Sequence, residues 1–235
     1  MTTPSDRVVA LLPMKANSER VKGKNFRDFC GKPLFGWMLD TLLEVNEIDL
    51  VVINTDARHI LAANGLVDSP RVLIRDRKPE ICGDFVSMNL VIADDIANVE
   101  AGTYLMTHTT NPLMSADTVR RALAALLEAR AAGRVDSLFT VDKVQQRFYR
   151  ADASPVNHDP DNLIRTQDLE PWFEENSNLY IFSRESFAAT QARIGRLPMM
   201  FEGPAFESID IDTPQDWDFA VIAARFMQQQ KESAR

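Results

Sequence analysis

Short apolar runs that read as buried strands alternate with stretches of helical period along most of this chain, and few folds accept that alternation. Val8-Val-Ala-Leu-Leu12 ends at Pro13, and Leu50–Thr55, Val72–Arg75, Thr103–Thr107 and Ser137–Val141 repeat the pattern. Between them the spacing predicts helices. One starts at Pro33 and carries Leu34, Trp37, Met38, Thr41 and Leu42. Others run from Ala57 to about Asn64, closed by Gly65, from Met88 to Asn98, and from Asp117 to Ala131, stopped by Gly133. Near-continuous apolar strands with intervening helices predict an α/β fold, a mostly parallel sheet covered by helices on both faces. Ligands of such sheets lie beyond the carboxyl ends of the strands. The loops after Leu12, Thr55, Arg75, Thr107 and Val141 are therefore expected around one crevice.

At 235 residues the chain holds one such Rossmann-like domain, residues 1–235, rather than two. Gln145 to Gln167 breaks the rhythm, with Pro155 and Pro160 among many polar residues. It reads as a solvated loop or an inserted arm. Leu169, Trp172 and Phe173 just beyond it favour an arm spanning about 144–182. Alternation returns with a strand at Asn178–Phe182, a helix near Glu185–Ala192, a strand near Glu207–Ile211 and a last helix from Pro214 to about Lys231. The polar tail from Gln228 to Arg235 is expected to fray.

Hydrophobic residues make up 45% and charged residues 26% of the chain, enough for a real core. The net charge of −8 argues against a nucleic-acid partner, which needs an excess of Lys and Arg. Any anionic ligand must then be held by a local basic cluster. No apolar run approaches membrane-spanning length, and Met1–Arg7 lacks the apolar core of a signal peptide. Cys30 and Cys82 are too few for a disulfide framework or a zinc motif. Together these predict a cytoplasmic protein with reduced thiols.

The most basic window, Pro13-Met-Lys15-Ala-Asn-Ser18-Glu-Arg20-Val-Lys22-Gly-Lys24-Asn25, follows the first strand. Its cations and hydroxyl suit a triphosphate, and Gly23 allows a close backbone turn. A solvated charge run is the alternative. Gly-x-Gly-x-x-Gly and Walker-type motifs are absent, which disfavours dinucleotide or P-loop binding. Near the C-terminus, Glu207-Ser-Ile-Asp210-Ile-Asp212-Thr-Pro-Gln-Asp216 places two carboxylates on one face of an extended segment, roughly 7 Å apart. Such a pair beside a triphosphate suits Mg²⁺, which takes a few carboxylates together with waters and substrate oxygens. Helix capping accounts for Thr213, Pro214 and Asp216 and leaves Asp210 and Asp212 over.

These segments resemble the acylneuraminate cytidylyltransferase family. Its first loop has the form Pro-Ala-Arg-Gly-Gly-Ser-Lys-x-x-x-x-Lys-Asn, followed by Gly-Lys-Pro-Leu. Pro13, Ser18, Lys24, Asn25 and Gly31-Lys32-Pro33-Leu34 match it here, while Lys15 stands for Arg and Ala16-Asn17 for the glycine pair. The resemblance implies nucleotide binding by Pro13, Lys15, Ser18, Lys24 and Asn25, with Lys24 catalytic. It implies that Asp210 and Asp212, in a segment similar to the family's Ile-Asp-x-Pro-Glu-Asp, hold the catalytic metal. Arg77 fits the arginine that approaches the cytidine side. Thr107-His-Thr-Thr-Asn-Pro-Leu113 resembles Gln-Pro-Thr-Ser-Pro-Leu, with His108 for the glutamine that contacts the sugar and Asn111 as a neighbouring polar group. Arg165-Thr-Gln-Asp and Glu175-Asn-x-x-Leu-Tyr180 resemble the arm that exchanges with a second subunit. Arg165 is there the candidate for the neighbour's sugar carboxylate.

The implied reaction is attack of the anomeric hydroxyl of an acidic nine-carbon 2-keto sugar on the α-phosphate of CTP, with pyrophosphate leaving. The implied assembly is a homodimer. Rivals are a 3-deoxy-octulosonate cytidylyltransferase, a sugar-1-phosphate nucleotidylyltransferase and a non-catalytic nucleotide-binding module.

Overall fold

In the computed structural model, which describes residues 6–233, seven strands form one sheet with helices on both faces. Its elements are β1 (Val8–Leu11), a small hairpin of β2 (Asp28–Phe29) and β3 (Lys32–Pro33), α1 (Leu34–Glu44), β4 (Leu50–Thr55), α2 (Arg58–Ala63), β5 (Val72–Asp76) and α3 (Met88–Asn98). They continue as β6 (Thr103–Thr107), α4 (Ala116–Ala131), β7 (Ser137–Val144), β8 (Trp172–Phe182), α5 (Arg184–Thr190), β9 (Pro198–Glu202) and α6 (Pro214–Ser233). The strand order is β5-β4-β1-β6-β8-β7-β9. All neighbouring strands are parallel except at β8, which runs antiparallel to both β6 and β7.

The apolar runs account for this arrangement. Every residue of β1, β4 and β6 is buried, as strands covered on both faces must be. One cluster holds Ala10, Leu12, Val51, Ile53 and Leu105 against Met38 and Leu42 of α1 and Val119 and Leu126 of α4. The opposite face holds Val9, Leu11, Val52, Tyr104 and Met106 against Ile92 and Ile96 of α3. A third cluster, with Phe29, Leu34, Ile211 and Trp217, seats α6 beside the β2–β3 hairpin and fixes the segment just before α6. No helix among the described residues is long and apolar enough to cross a membrane.

Three sequence expectations are corrected. The strand expected at Glu207–Ile211 is absent: Ala205–Ser208 forms a 3-10 turn, and the chain then runs extended outside the sheet. Backbone and side-chain bonds to the loop after β6 replace a ladder there, with Ile211 N donating to Thr110 O at 2.9 Å and Ser115 N to Glu207 Oε2 at 3.0 Å. The edge strand is instead β9, which the sequence reading passed over; only alternate residues are half-buried, so its apolar signal is weak. Finally, β7 and β8 run on as a ribbon, Val141–Val144 pairing with Trp172–Glu175. The register shifts between Phe139 and Val141, opposite Ser177, whose φ of 58° is left-handed. The end of β7 thus leads into the arm, and the loops expected at the crevice after Thr55 and Val141 do not line it.

Candidate active site

The loops after β1, β5 and β6 and the segment before α6 surround a cleft of about 310 Å³ at the carboxyl ends of the parallel strands. Pro13, Lys15, Ser18, Lys24, Asn25, Arg77, His108 and Asp212 all line it. The basic loop reaches this position through a chain reversal at Gly23, whose φ of 63° is comfortable only for a residue without Cβ. The following 3-10 turn, Lys24–Phe26, buries Lys24 and Asn25. Asn25 fixes the loop from within: its Nδ2 donates to Lys15 O at 2.9 Å, and its Oδ1 accepts from Thr109 Oγ1 at 2.7 Å. Asn25 thus faces the loop backbone as well as the cleft.

Lys24 crosses the floor of the cleft. Its side chain is 9% exposed, and its Nζ donates to Ile211 O and lies 3.4 Å from Asp212 Oδ1. Arg20 meets the other oxygen of Asp212 at 3.0 Å, and Lys15 pairs with Asp84 on the opposite wall. A cation-rich loop and a carboxylate 188 positions later are thereby brought into contact.

Ile211 is fully buried between Asp210 and Asp212, and of the two carboxylates Asp212 lines the cleft while the Oδ1 of Asp210 is buried. The capping reading also holds. Asp216 Oδ2 accepts from the backbone N–H of Asp212 at 3.1 Å and of Thr213 at 2.7 Å, while Thr213 Oγ1 accepts from Asp216 N at 3.3 Å. The cap serves α6 and leaves both earlier carboxylates free of that duty. Burial raises the pKa of Asp210 above the usual carboxylate range, a hydrogen bond from Thr110 opposes this, and the nearby Asp212 charge adds to it. Its Oδ1 is buried without a hydrogen-bond partner. An orphaned carboxylate oxygen beside a second carboxylate fits a hard divalent cation that completes its shell with water and phosphate oxygens.

Arg77 lies on the wall as a brace. Its Nε donates to Asn54 Oδ1 at 2.9 Å and its NH2 to Asn54 O at 2.8 Å and Met14 O at 3.3 Å, tying β4 to the end of β1. Beneath it, Asn54 Nδ2 donates to Asp95 Oδ1 at 2.8 Å, and Arg75 bridges Asp94 and Asp95. Burial pushes Asp95 up to about 6 against the pull of Asn54 and Arg75. Sequence reading passed over Asn54 and Asp95 because they sit inside an apolar strand and a helix, where only tertiary contact reveals a pair.

His108 lies at the strand end as expected. Burial first, then the charges of Arg193 and Lys24, push its pKa down to about 4. The imidazole is therefore neutral near pH 7 and can both donate and accept. The unfolded state takes up this proton near 6.5 and the folded state only near 4, so stability from His108 is full above 6.5 and is lost as pH falls towards 4. His108→Gln is expected to remove that loss, at most ~3 kcal/mol and less for a ring partly open to the cleft. Asp95 acts oppositely, since its folded state gains a proton first as pH falls through about 6. Urea melts of wild type and variant at pH 7.5 and 4.5 isolate the His108 contribution; parallel curves would refute it.

Three expected residues are off the lining of this cleft: Asp210, whose Oδ1 is buried, and two more. Asn111 is fully buried, off the lining, with neither amide atom hydrogen-bonded. The turn after β6 points it into the protein, and Thr109 and Thr110 take the lining positions instead. Arg165 lies on the exposed arm, where its Nε and NH2 donate to Asp168 at 2.7 and 2.9 Å. It does not reach the cleft of its own chain.

A sequence profile described as "Cytidylyltransferase" matches residues 9–220. The chain belongs to the cytidylyltransferase family. Among relatives of this cytidylyltransferase is the pseudaminic acid cytidylyltransferase of Campylobacter jejuni subsp. jejuni serotype O:2, 22% identical over 221 residues, covering 91% of this chain and 94% of that one. Another is the CMP-N,N'-diacetyllegionaminic acid synthase of Legionella pneumophila, 25% identical over 224 residues, with 90% and 93% covered. A solved CMP:2-keto-3-deoxy-manno-octonic acid synthetase complexed with CTP shares the fold, with a TM-score of 0.64, 16% identity and coverage of 95% and 99%. The expected α/β architecture of this cytidylyltransferase is thus the observed one.

Proposed function

We propose that this enzyme transfers CMP from CTP to a sialic-acid-like nonulosonic acid and releases pyrophosphate. The observation that carries the reading is the meeting of Lys24, from the basic first loop, with Asp212 on the cleft floor. The cations of the basic loop and the carboxylate of Asp212 line the same cleft, which supports phosphate and metal binding there. Two relatives whose names specify nonulosonic acids, matched over nearly their full length, support that acceptor class over a sugar 1-phosphate.

In this reading Lys15, Ser18 and Arg20 face the phosphates and Lys24 neutralises charge developing on the α-phosphate. Arg77, through Asn54 and Met14, holds the wall against which the base packs. Asp210 and Asp212 would hold Mg²⁺, which polarises phosphoryl oxygens and stabilises an attacking alkoxide when bound. Neutral His108 orients the acceptor's hydroxyls. The chain acts as a single nucleotidyltransferase domain, and its work is positioning and charge neutralisation.

A homodimer through the arm belongs to the same proposal. Tyr149, Leu163, Ile164, Trp172 and Phe173 are all exposed there, with Phe148 stacked on Trp172 at 5.2 Å. An apolar patch of this kind on a projecting ribbon suits a second subunit, and Arg165 would reach the partner's sugar site. Sedimentation is expected to give a dimer at micromolar concentration; a fully active monomer would refute it. The function is tested by pyrophosphate release across a matrix of nucleoside triphosphates and acceptors. CTP with a nonulosonic acid is expected to be fastest, and faster release with a sugar 1-phosphate would overturn the reading.

A further inference from the structure

We infer that Arg193, in the loop after α5, is the cation that this chain itself supplies to the carboxylate of the acidic acceptor. The inference rests on the acceptor class proposed above, because a neutral sugar would need no such partner.

The cations lining the cleft are engaged on its nucleotide side. Lys15 meets Asp84, Arg20 and Lys24 meet Asp212, and Arg77 is tied to Asn54 and Met14. Beyond His108 the inventory changes. Tyr180, on which Arg193 sits, pairs with Met106, two residues before His108 on the same face of the sheet, and the charge of Arg193 helps hold the His108 pKa down. Its backbone N–H donates to Asn89 Oδ1 at 3.4 Å, which holds the loop against the first turn of α3, next to the lining residue Met88. The guanidinium carbon lies 3.9 Å from the centroid of the Tyr180 ring, and NH2 donates to Tyr180 Oη at 3.0 Å. Tyr180 is in turn held by Glu175 and Ser177.

This mounting leaves most of the guanidinium donors without a partner in the described residues, with one carboxylate at the edge of ion-pair distance. Among the described residues, Tyr180 Oη is the only acceptor of a guanidinium hydrogen bond from Arg193, and Glu175 Oε1 stands off at 3.8 Å. The side chain is only 22% exposed. A guanidinium offers five N–H donors in a planar fork that matches a carboxylate. The Tyr180 ring and hydroxyl hold the fork by a cation–π contact and one hydrogen bond, which leaves its other donors for a ligand. In a 2-keto acid the carboxylate is attached to the carbon that bears the attacking hydroxyl. A cation near His108 can thus grip the carboxylate while the hydroxyl faces the α-phosphate. His108, kept neutral by burial and by the charges of Arg193 and Lys24, adds no third charge.

The test uses the full chain with saturating CTP, the nonulosonic acid that best supports wild-type turnover, and the carboxamide of that acid. Arg193→Ala is expected to lower kcat/KM for the acid by about 10- to 100-fold, the range for a charge-assisted contact. It is expected to change the CTP KM by less than about twofold and to affect the carboxamide far less, shrinking the preference for acid over amide. Arg193→Lys should recover part of that preference, and it carries the comparison if the alanine variant does not fold. Equal losses on acid and amide, or unchanged kinetics, would overturn the assignment and leave Arg193 a prop for Tyr180. If wild type releases no pyrophosphate with any nonulosonic acid, the proposed acceptor class fails and the assignment falls with it. A working wild type with an indifferent Arg193 defeats the assignment alone.

Discussion

Asp212→Asn is expected to lower kcat by two or three orders of magnitude while moving the melting temperature by no more than about 2 °C. The side chain of Asp212 is 41% exposed, and its partners Arg20 and Lys24 lie at 3.0 and 3.4 Å. The Arg20 pair is open to solvent and contributes little to folding, and the nearly buried Lys24 keeps its bond to Ile211 O in the variant. The helix cap is built from Thr213 and Asp216 side chains and the backbone N–H of Asp212, none of which the substitution removes. What it removes is a full negative charge beside the orphaned oxygen of Asp210, where divalent-cation binding is proposed. The loss should therefore appear as weakened Mg²⁺ dependence, measured as pyrophosphate release against Mg²⁺ concentration at saturating CTP. A variant that loses folding and activity in proportion would assign Asp212 to structure instead.

Lys24→Ala is expected to cost kcat/KM for CTP about 10²- to 10³-fold, and unlike Asp212→Asn it should also lower stability. The ammonium group is nearly buried and donates to Ile211 O, which would lose that partner in the variant. Leaving a buried acceptor unsatisfied costs about 1–3 kcal/mol, a fall of several degrees in a domain this size. The two effects separate by measurement. Thermal melts report the lost carbonyl partner, and steady-state kinetics below the melt report the lost phosphate contact. Wild-type kinetics in a folded Lys24→Ala enzyme would remove the basic loop from the proposed site. Lys24→Arg should restore charge without restoring the geometry of the Ile211 contact, so partial activity is the expected result.

The difference between the two variants shows how the site is built. Asp212 is held by its backbone and displays its carboxylate to the cleft, whereas Lys24 is both part of the floor and a charge. The same division runs along the walls. Asn25 and Arg77 line the cleft, yet much of their hydrogen bonding goes to Asn54 of β4 and to the backbone of the first loop.

The strands β1, β4 and β6 were legible from sequence because burial on both faces leaves a continuous apolar run, as in Leu50–Thr55, which is buried throughout. Helices α3 and α4 were legible from period and from Gly133 beyond α4, whose φ of 67° ends the helix. The basic loop and the Asp-x-Asp were legible as local chemistry, and the strand-end rule placed the loop at the cleft. Their meeting was not: Lys24 and Asp212 are 188 positions apart, and only the seating of α6 through Ile211 and Trp217 brings them together. Tertiary structure also decided the edge of the sheet, where β9 has one half-buried face and so a weak apolar pattern. It turned Asn111 inward, since a turn's side-chain directions follow from its packing and not from its letters. And it set Arg193 beside His108 on Tyr180, a neighbourhood made from the ends of β6 and β8 and the loop after α5. A local sequence pattern carries periodicity and residue chemistry; the pairing of charges distant in the chain arises only when the sheet order and the helix packing are fixed.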